Sequence, residues 1–369
     1  MEYHLSKYCQ GDVLSTHWGV RDDLPKIPLA EIYRTHLGSF RYHATFSAKL
    51  PKFVRFFWDL SYFIRTGLWL SFTQGRYQAI VTYGPYTCGM AGWVVRAFTR
   101  SRLIIMMPAP PVETFKYVKT FLGKIKYQFA RLIIPALIRS ADAAWLLYPT
   151  QLDDLPGRKM TRVHVFPDFT PTTEIASIAE PQDRAVNPYL LFLGYPFQRK
   201  GVDLLIEAFL AITDAHPEFV LKVVGHCPDL TPYRKLAGDH PRILFERPVL
   251  HDEAIRLIVG CHLFILPSRL EGVPRVVVEA MAIGRPVIAS RINGTPTILE
   301  DGRDGLLFES ENVEELAERM DRLLSDPQLA YRLGEAAKHR IAHDFSSETF
   351  AIRFRDMIRD VVGDHAISA

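Results

Sequence analysis

Two glutamates eight positions apart, Glu271 and Glu279, frame the run Glu271-Gly272-Val273-Pro274-Arg-Val-Val-Val-Glu279. An apolar stretch at 263–266 predicts a strand ahead of them, and apolar spacing over 276–283 predicts a helix around the second. Pro274 stands where a first helical residue is favoured, because its missing N–H costs nothing there. Glu279 then lies about 7 Å along the helix axis from Pro274. The loop carboxylate and the helix carboxylate are therefore expected to face one cleft at different depths. A carboxylate accepts two hydroxyl hydrogen bonds, which suits a vicinal diol. Two of them at this separation fit two sugar rings, a transferable hexose and the ribose of a nucleoside. The helix N-terminus between them, with unpaired N–H groups and the positive end of its dipole, fits a diphosphate. A pair of glutamates taken alone is ordinary surface in most proteins. The strand, the glycine and proline, and the apolar helix around this pair set it apart.

The elements that must position these residues alternate. Residues 189–194, 219–225, 243–245, 263–266 and 286–290 read as short buried strands. Between them, 202–215 carries Leu205, Ala208, Phe209 and Ile212 at helical spacing, and 252–260, 276–283 and 312–324 read as further helices. Strands alternating with helices across short loops predict a parallel sheet covered on both faces, with ligands bound beyond the carboxyl ends of its strands. The first half shows strands at 79–82 and 103–106 and helical stretches at 51–72 and 114–140, the latter broken or kinked at Pro135. Residues 171–188 are polar and lack a periodic apolar face, as a linker would. With 369 residues, the chain exceeds one ordinary core. The expected division is a domain over 1–171, a linker over 172–187 and a second domain over 188–345.

Composition narrows the function classes. Apolar residues make up 48% and charged residues 23%, a balance of folded, water-compatible domains rather than disorder. The near-neutral total hides an asymmetry: residues 1–180 hold 22 Lys and Arg against 13 Asp and Glu. Within 41–140 there are 15 basic residues, and only Asp59 and Glu113 are acidic. That half is expected to attract an anionic partner. The basic residues of 49–65 and 115–139, among them Lys116, Lys119, Lys124, Lys126, Arg131 and Arg139, predict a cationic, aromatic-rich face resting on anionic lipid. Nucleic acid is not expected, since no RNA- or DNA-binding motif is present. Cys9, Cys88, Cys227 and Cys261 lie far apart, which argues against a zinc finger, a redox pair or a disulfide framework and fits a cytoplasmic setting. The first residues lack an apolar signal core. The uncharged run 77–95 is interrupted by Gly84, Pro85, Gly89 and Gly92, and 53–72 carries Arg55, Asp59 and Arg65, so no membrane span is expected.

The E-x7-E stretch resembles the signature of the retaining GT-B glycosyltransferases of family 4. The likeness covers roughly 187–345, in order: Gly194…Lys200-Gly201-Val-Asp-Leu-Leu-Ile-Glu-Ala-Phe, Val223-Val-Gly225, Leu266-Pro-Ser, Glu271-Gly-Val-Pro, Glu279-Ala-Met-Ala, Gly284-Arg-Pro-Val-Ile-Ala-Ser and Asp301-Gly-Arg-Asp-Gly-Leu-Leu. The resemblance implies an α/β fold of two facing Rossmann-like domains with parallel sheets, the first completed by a C-terminal helix within 346–369. It implies transfer of a sugar from a UDP-, GDP- or ADP-linked donor to a glycan or glycolipid hydroxyl, with no metal or other cofactor. Glu271 would contact donor-sugar hydroxyls as the catalytic residue, Glu279 would hold the ribose, and Lys200 would grip the diphosphate. Gly194, Gly272, Val273, Pro274 and Gly294 would line the donor. Departures are visible. Tyr195 stands where an Arg is expected, leaving Arg199 as the substitute, and Thr297 replaces a Glu. Met106-Met107-Pro108 occupies the place where many relatives have His, and the opening run from Met1 to Ser15 resembles the end of the first helix and the second strand, so the first strand of the N-terminal domain and its glycine loop are expected to be absent. A catalytically impaired nucleotide-sugar-binding protein or complex subunit is the competing reading. The likeness also implies a peripheral place on the inner face of the plasma membrane.

Overall fold

A computed structural model describes residues 5, 8–16, 33–34, 40–45, 50–110, 121–153, 162–168, 175 and 188–363. The chain divides into two compact units, Met1–Pro167 with Phe350–Ala369, and Asp168–Thr349. The stretch read as a linker, 172–187, lies outside the described residues except for Ile175, which is buried in the core of the second unit.

In the first unit, β1 (Gly11–Thr16) pairs in parallel with β3 (Phe40–Thr45), and the two-residue β2 (Tyr33–Arg34) pairs antiparallel with β3. That antiparallel edge departs from the all-parallel expectation. Asp12 on β1 holds this sheet together, accepting from Arg41 at 2.8 Å and pairing with His43 at 2.7 Å. A second, parallel sheet has the order β4-β5-β6-β7, from β4 (Ala79–Tyr83), β5 (Arg102–Met107), β6 (Ala143–Leu146) and β7 (Val163–Val165). Leu103–Met107 are fully buried, as a central parallel strand requires. Helices α1 (Lys52–Thr73) and α2 (Thr87–Thr99) pack against each other. Helix α3 (Phe121–Ser140) continues through Pro135, so the expected break does not occur. Five residues from the helix end, the proline removes one ladder hydrogen bond, while Ile134, Leu137 and Ile138 stay buried around it.

The second unit is a six-stranded parallel sheet, order β10-β9-β8-β11-β12-β13. Its strands are β8 (Tyr189–Leu193), β9 (Val220–Val224), β10 (Ile243–Glu246), β11 (Leu263–Leu266), β12 (Val287–Ser290) and β13 (Leu306–Phe308). All residues of β8, β11 and β12 are buried, which explains their unbroken apolar runs. Connecting helices are α4 (Val202–Ile212), α5 (Thr231–Ala237), α6 (His251–Gly260), α7 (Arg275–Ile283), α8 (Thr295–Ile298), α9 (Val313–Ser325) and α10 (Pro327–Asp344). Two starts are fixed by side-chain caps: Asn312 accepts from the Glu315 N–H at 3.0 Å, and Asp326 from the Leu329 N–H at 2.9 Å. Helix α11 (Ser347–Val362) ends the described chain, and from Phe350 it belongs to the first unit, where the Phe350 ring lies 5.5 Å from that of Trp145.

The strand order positions the site. β8 has β9 on one side and β11 on the other, so the loops after β8 and β11 leave the sheet in opposite directions. Parallel α/β sheets open a ligand crevice at such a reversal. The loop after β8 carries Lys200, and the loop after β11 carries Glu271.

Candidate active site

The two loops are tied together before any ligand is considered. Gly201 caps α4 in the left-handed region, at φ 68°. A β-carbon there would lie 1.9 Å from the Pro267 carbonyl oxygen, so only glycine allows this approach. Arg269 completes the clamp. Its backbone N–H donates to the Arg199 carbonyl at 2.8 Å, and its guanidinium donates to the Gln198 carbonyl at 2.7 Å. The same side chain forms a bidentate pair with Asp203, both bonds at 2.7 Å, and reaches Glu311 at 2.6 Å. The Asp203 carboxylate pushes its already high pKa further up.

Within that frame Lys200 meets Glu271. The Lys200 ammonium lies 2.5 Å from Glu271 Oε1, and both side chains are nearly buried. Ser268 Oγ donates to the same Oε1 at 2.6 Å, and the Glu271 N–H donates to Asn293 Oδ1 at 3.3 Å. Gly294 follows as the cap of α8, its N–H donating to the Gly272 carbonyl at 3.1 Å. The loop after β12 is thereby fixed to the Glu271 loop.

Pro274 is the N-cap of α7 rather than its first helical residue, at φ −74° and ψ 104°, and its carbonyl accepts from Val277 at 3.0 Å. A proline with extended ψ turns the chain into the helix from outside it, which moves the start to Arg275. The leading N–H groups of α7 have no intrahelical acceptor and give this end partial positive charge. Glu279 lies one turn further on, 7% exposed. Burial raises its pKa, partly offset by the positive charges of His251 and Arg275. Glu271 is 8% exposed, so neither carboxylate faces bulk solvent.

The remaining sequence candidates lie in or beside the loops after β8, β11 and β12. Gly194, at the end of β8, approaches the Lys200 stem. Val273 is half-buried against the core. Tyr195 is exposed, its ring 5.4 Å from that of His226 in the loop after β9. Arg199 is turned toward the Tyr195 carbonyl, 3.5 Å away, with its Nε buried and without a hydrogen-bond partner among the described residues. Thr297 Oγ1 donates to the Gly294 carbonyl at 2.6 Å. Sequence reasoning missed four contributors. Ser268 and Asn293 orient Glu271, Arg269 ties the loops, and His251 acts on Glu279. Their partners are distant in sequence or spaced without a pattern, so no periodicity marks them.

The residues at this strand-order reversal fall within a match to the protein family described as "Glycosyl transferases group 1" over 176–340. The second unit carries a group 1 glycosyltransferase domain. An uncharacterized glycosyltransferase of Methanocaldococcus jannaschii is 33% identical to the chain over 178 residues, 46% of this chain and 48% of that protein. The match thus spans about half the length of that relative. D-inositol 3-phosphate glycosyltransferase of Corynebacterium glutamicum is 26% identical over 336 residues, 82% of this chain and 77% of that one. Among solved structures, sucrose-phosphate synthase of Thermosynechococcus elongatus superposes with a TM-score of 0.75 at 20% identity, covering 95% of this chain and 88% of that one. The group 1 domain and the unit before it therefore share the α/β fold of the GT-B glycosyltransferases.

Proposed function

We propose that the protein is a retaining glycosyltransferase of family 4 that uses a nucleotide-diphospho-sugar and needs no metal or other cofactor. Its acceptor is a hydroxyl of a lipid-linked or polysaccharide-precursor glycan, met at the cytoplasmic face of the membrane. One observation carries the reading: a nearly buried lysine and a nearly buried glutamate meet at the sheet's reversal point, beside the N-terminus of a helix that carries a second buried glutamate.

The chemistry follows from the charges. Lys200 and the leading N–H groups of α7 neutralise the diphosphate as it departs, where fixed positive groups in a dry site act most strongly. Lys200 and Ser268 both engage Oε1 of Glu271, which leaves Oε2 to accept from donor-sugar hydroxyls. Glu279 accepts from the ribose. In the retaining step the anomeric carbon–phosphate oxygen bond breaks and the acceptor oxygen bonds to the same face. The acceptor's proton passes to the departing phosphate. The protein then contributes position and electrostatics.

Release of nucleoside diphosphate from UDP-, GDP- and ADP-linked sugars tests this reading. Glu271→Ala should lower turnover by about a hundredfold or more, and chelators should leave the wild type unchanged. Turnover that survives Glu271→Ala removes the assignment. A second reading, a nucleotide-sugar-binding subunit without activity, is favoured by Tyr195, whose exposed ring brings no cation to the crevice. Nucleotide binding without turnover on any donor would select it.

A further inference from the structure

The first unit holds a charged cavity of about 370 Å³ that the donor chemistry does not use. It opens where α2 ends and β5 and β6 begin, and Trp93, Arg96, Arg100, Arg102 and Asp142 line it. Asp142 directly precedes β6, and its side chain is only 10% accessible. Its Oδ1 accepts from Arg102 Nη1 at 2.8 Å, and its Oδ2 from the Leu103 N–H at 2.9 Å and Arg96 Nε at 3.1 Å. Arg96 Nη1 donates to the Ser140 carbonyl. The carboxylate is thereby committed to orienting two guanidiniums, while Arg96 Nη2 and Arg102 Nη2 keep no partner among the described residues. Arg100 brings a third guanidinium, with no hydrogen bond or ion pair among the described residues. It caps α2 at φ 59°, in the left-handed region where glycine is the usual residue. A side chain is strained there, and strain kept at an arginine points to a use for its charge. Trp93, 46% accessible, supplies an aromatic wall.

We propose that this cavity binds a nucleoside monophosphate, its base stacked on Trp93 and its phosphate held by Arg96, Arg100 and Arg102. Three guanidiniums against one carboxylate leave two net positive charges in the cavity. A phosphate monoester carries a charge of about −1.5 to −2 near neutral pH and matches them, whereas a diester or a carboxylate brings only one. Arginine forks pair with phosphate oxygens bidentately, and two of these forks are already fixed in place by Asp142. Any base has a flat face that stacks on an indole. The volume suits a small molecule rather than a polymer. The place in the fold says what the ligand does not do. Parallel sheets hold their reactants beyond the carboxyl ends of the strands, and this cavity lies at the amino ends of β5 and β6. The ligand is therefore an effector rather than a reactant, and the proposal does not depend on the donor reading.

Calorimetry and tryptophan emission on the full chain titrated with AMP and with UMP test it, against adenosine, inorganic phosphate and glucose 6-phosphate. The expected result is quenching by a nucleotide that binds at least about tenfold tighter than any of those three. Trp93→Leu should remove the quench and weaken binding by about tenfold, and Arg96→Gln/Arg100→Gln should weaken it by about tenfold or more. Circular dichroism checks that the variants fold; Arg100→Gln alone, which breaks no bond among the described residues, serves if the double variant does not. Arg100→Gly relieves the left-handed strain, so it should raise the melting temperature while weakening binding, a combination that a structural arginine would not give. Glu279→Gln should leave this binding unchanged, which separates it from the donor crevice. Absence of binding by both nucleotides overturns the proposal, as does binding that survives the arginine variants or is lost in Glu279→Gln. Inorganic phosphate or glucose 6-phosphate bound as tightly as the nucleotides would overturn it in favour of a bare anion site.

Discussion

Gly201→Ala perturbs the site without touching a single group that would contact substrate. The added carbon would sit 1.9 Å from the Pro267 carbonyl oxygen and 2.9 Å from its carbon, both backbone atoms that cannot swing aside. The residue would also keep a φ of 68°, which costs an L-residue about 1–2 kcal/mol. Relieving the contact moves the α4 start and the Pro267–Glu271 loop apart by about 1 Å. A misplacement of that size costs up to about a hundredfold in rate. We therefore expect a loss of stability of about 2–4 kcal/mol together with a marked loss of donor turnover. Gly238→Ala is the control: its φ is 60°, but nothing lies within 4 Å of the added carbon. It should cost only the conformational 1–2 kcal/mol and leave turnover intact. Urea unfolding and saturation kinetics on both variants decide the matter. If Gly201→Ala loses no more stability than Gly238→Ala and keeps wild-type turnover, the tight approach of the two loops does not matter and the reasoning fails.

Three further outcomes are expected. Lys200→Met strands the Glu271 carboxylate in a nearly buried position and should cost about 3–5 kcal/mol; Glu271→Gln in the same chain should restore part of it, and strict additivity in urea unfolding would show that the two groups do not interact. Glu279 accepts two ribose hydroxyls with full strength only when ionised, and burial raises its pKa above the ordinary 4.5. Donor affinity should therefore be full at higher pH and fall as pH drops through a midpoint above 4.5, and calorimetry on Glu279→Gln should find that acid limb gone. Arg269→Met releases the Gln198 carbonyl, Asp203 and Glu311 together, and should raise the donor KM by about tenfold, with Arg269→Lys intermediate because a single ammonium cannot reproduce the bidentate pair.

How much of this was visible in the sequence depended on whether a contact leaves a local pattern. Strands buried on both faces, such as Tyr189–Leu193 and Leu263–Leu266, print themselves as unbroken apolar runs, and the helices between them as apolar stripes. The second unit was legible for that reason. Glu271 and Glu279 stood out because glycine, proline and a helix surround them. The Lys200–Glu271 pair joins residues 71 positions apart, and Arg269 joins loops on either side of it, so only folding reveals them. The first unit was harder to read. Trp69, Phe72, Trp93 and Phe98 count as core residues in any apolar pattern, yet they face outward. Helix α10, spanning Pro327–Asp344, escaped notice because its charged residues dilute the stripe of Leu329, Leu333, Ala337 and Ile341 that is buried.

The central claim is that one crevice, at the reversal between β8 and β11, receives the donor nucleotide. A crystal structure of the protein soaked with a nucleoside diphosphate tests it most directly. The account predicts phosphate oxygens within hydrogen-bond reach of Lys200 and the first N–H groups of α7, with ribose hydroxyls on Glu279. A nucleotide bound elsewhere, with Lys200 and Glu271 still paired and Glu279 untouched, would contradict it.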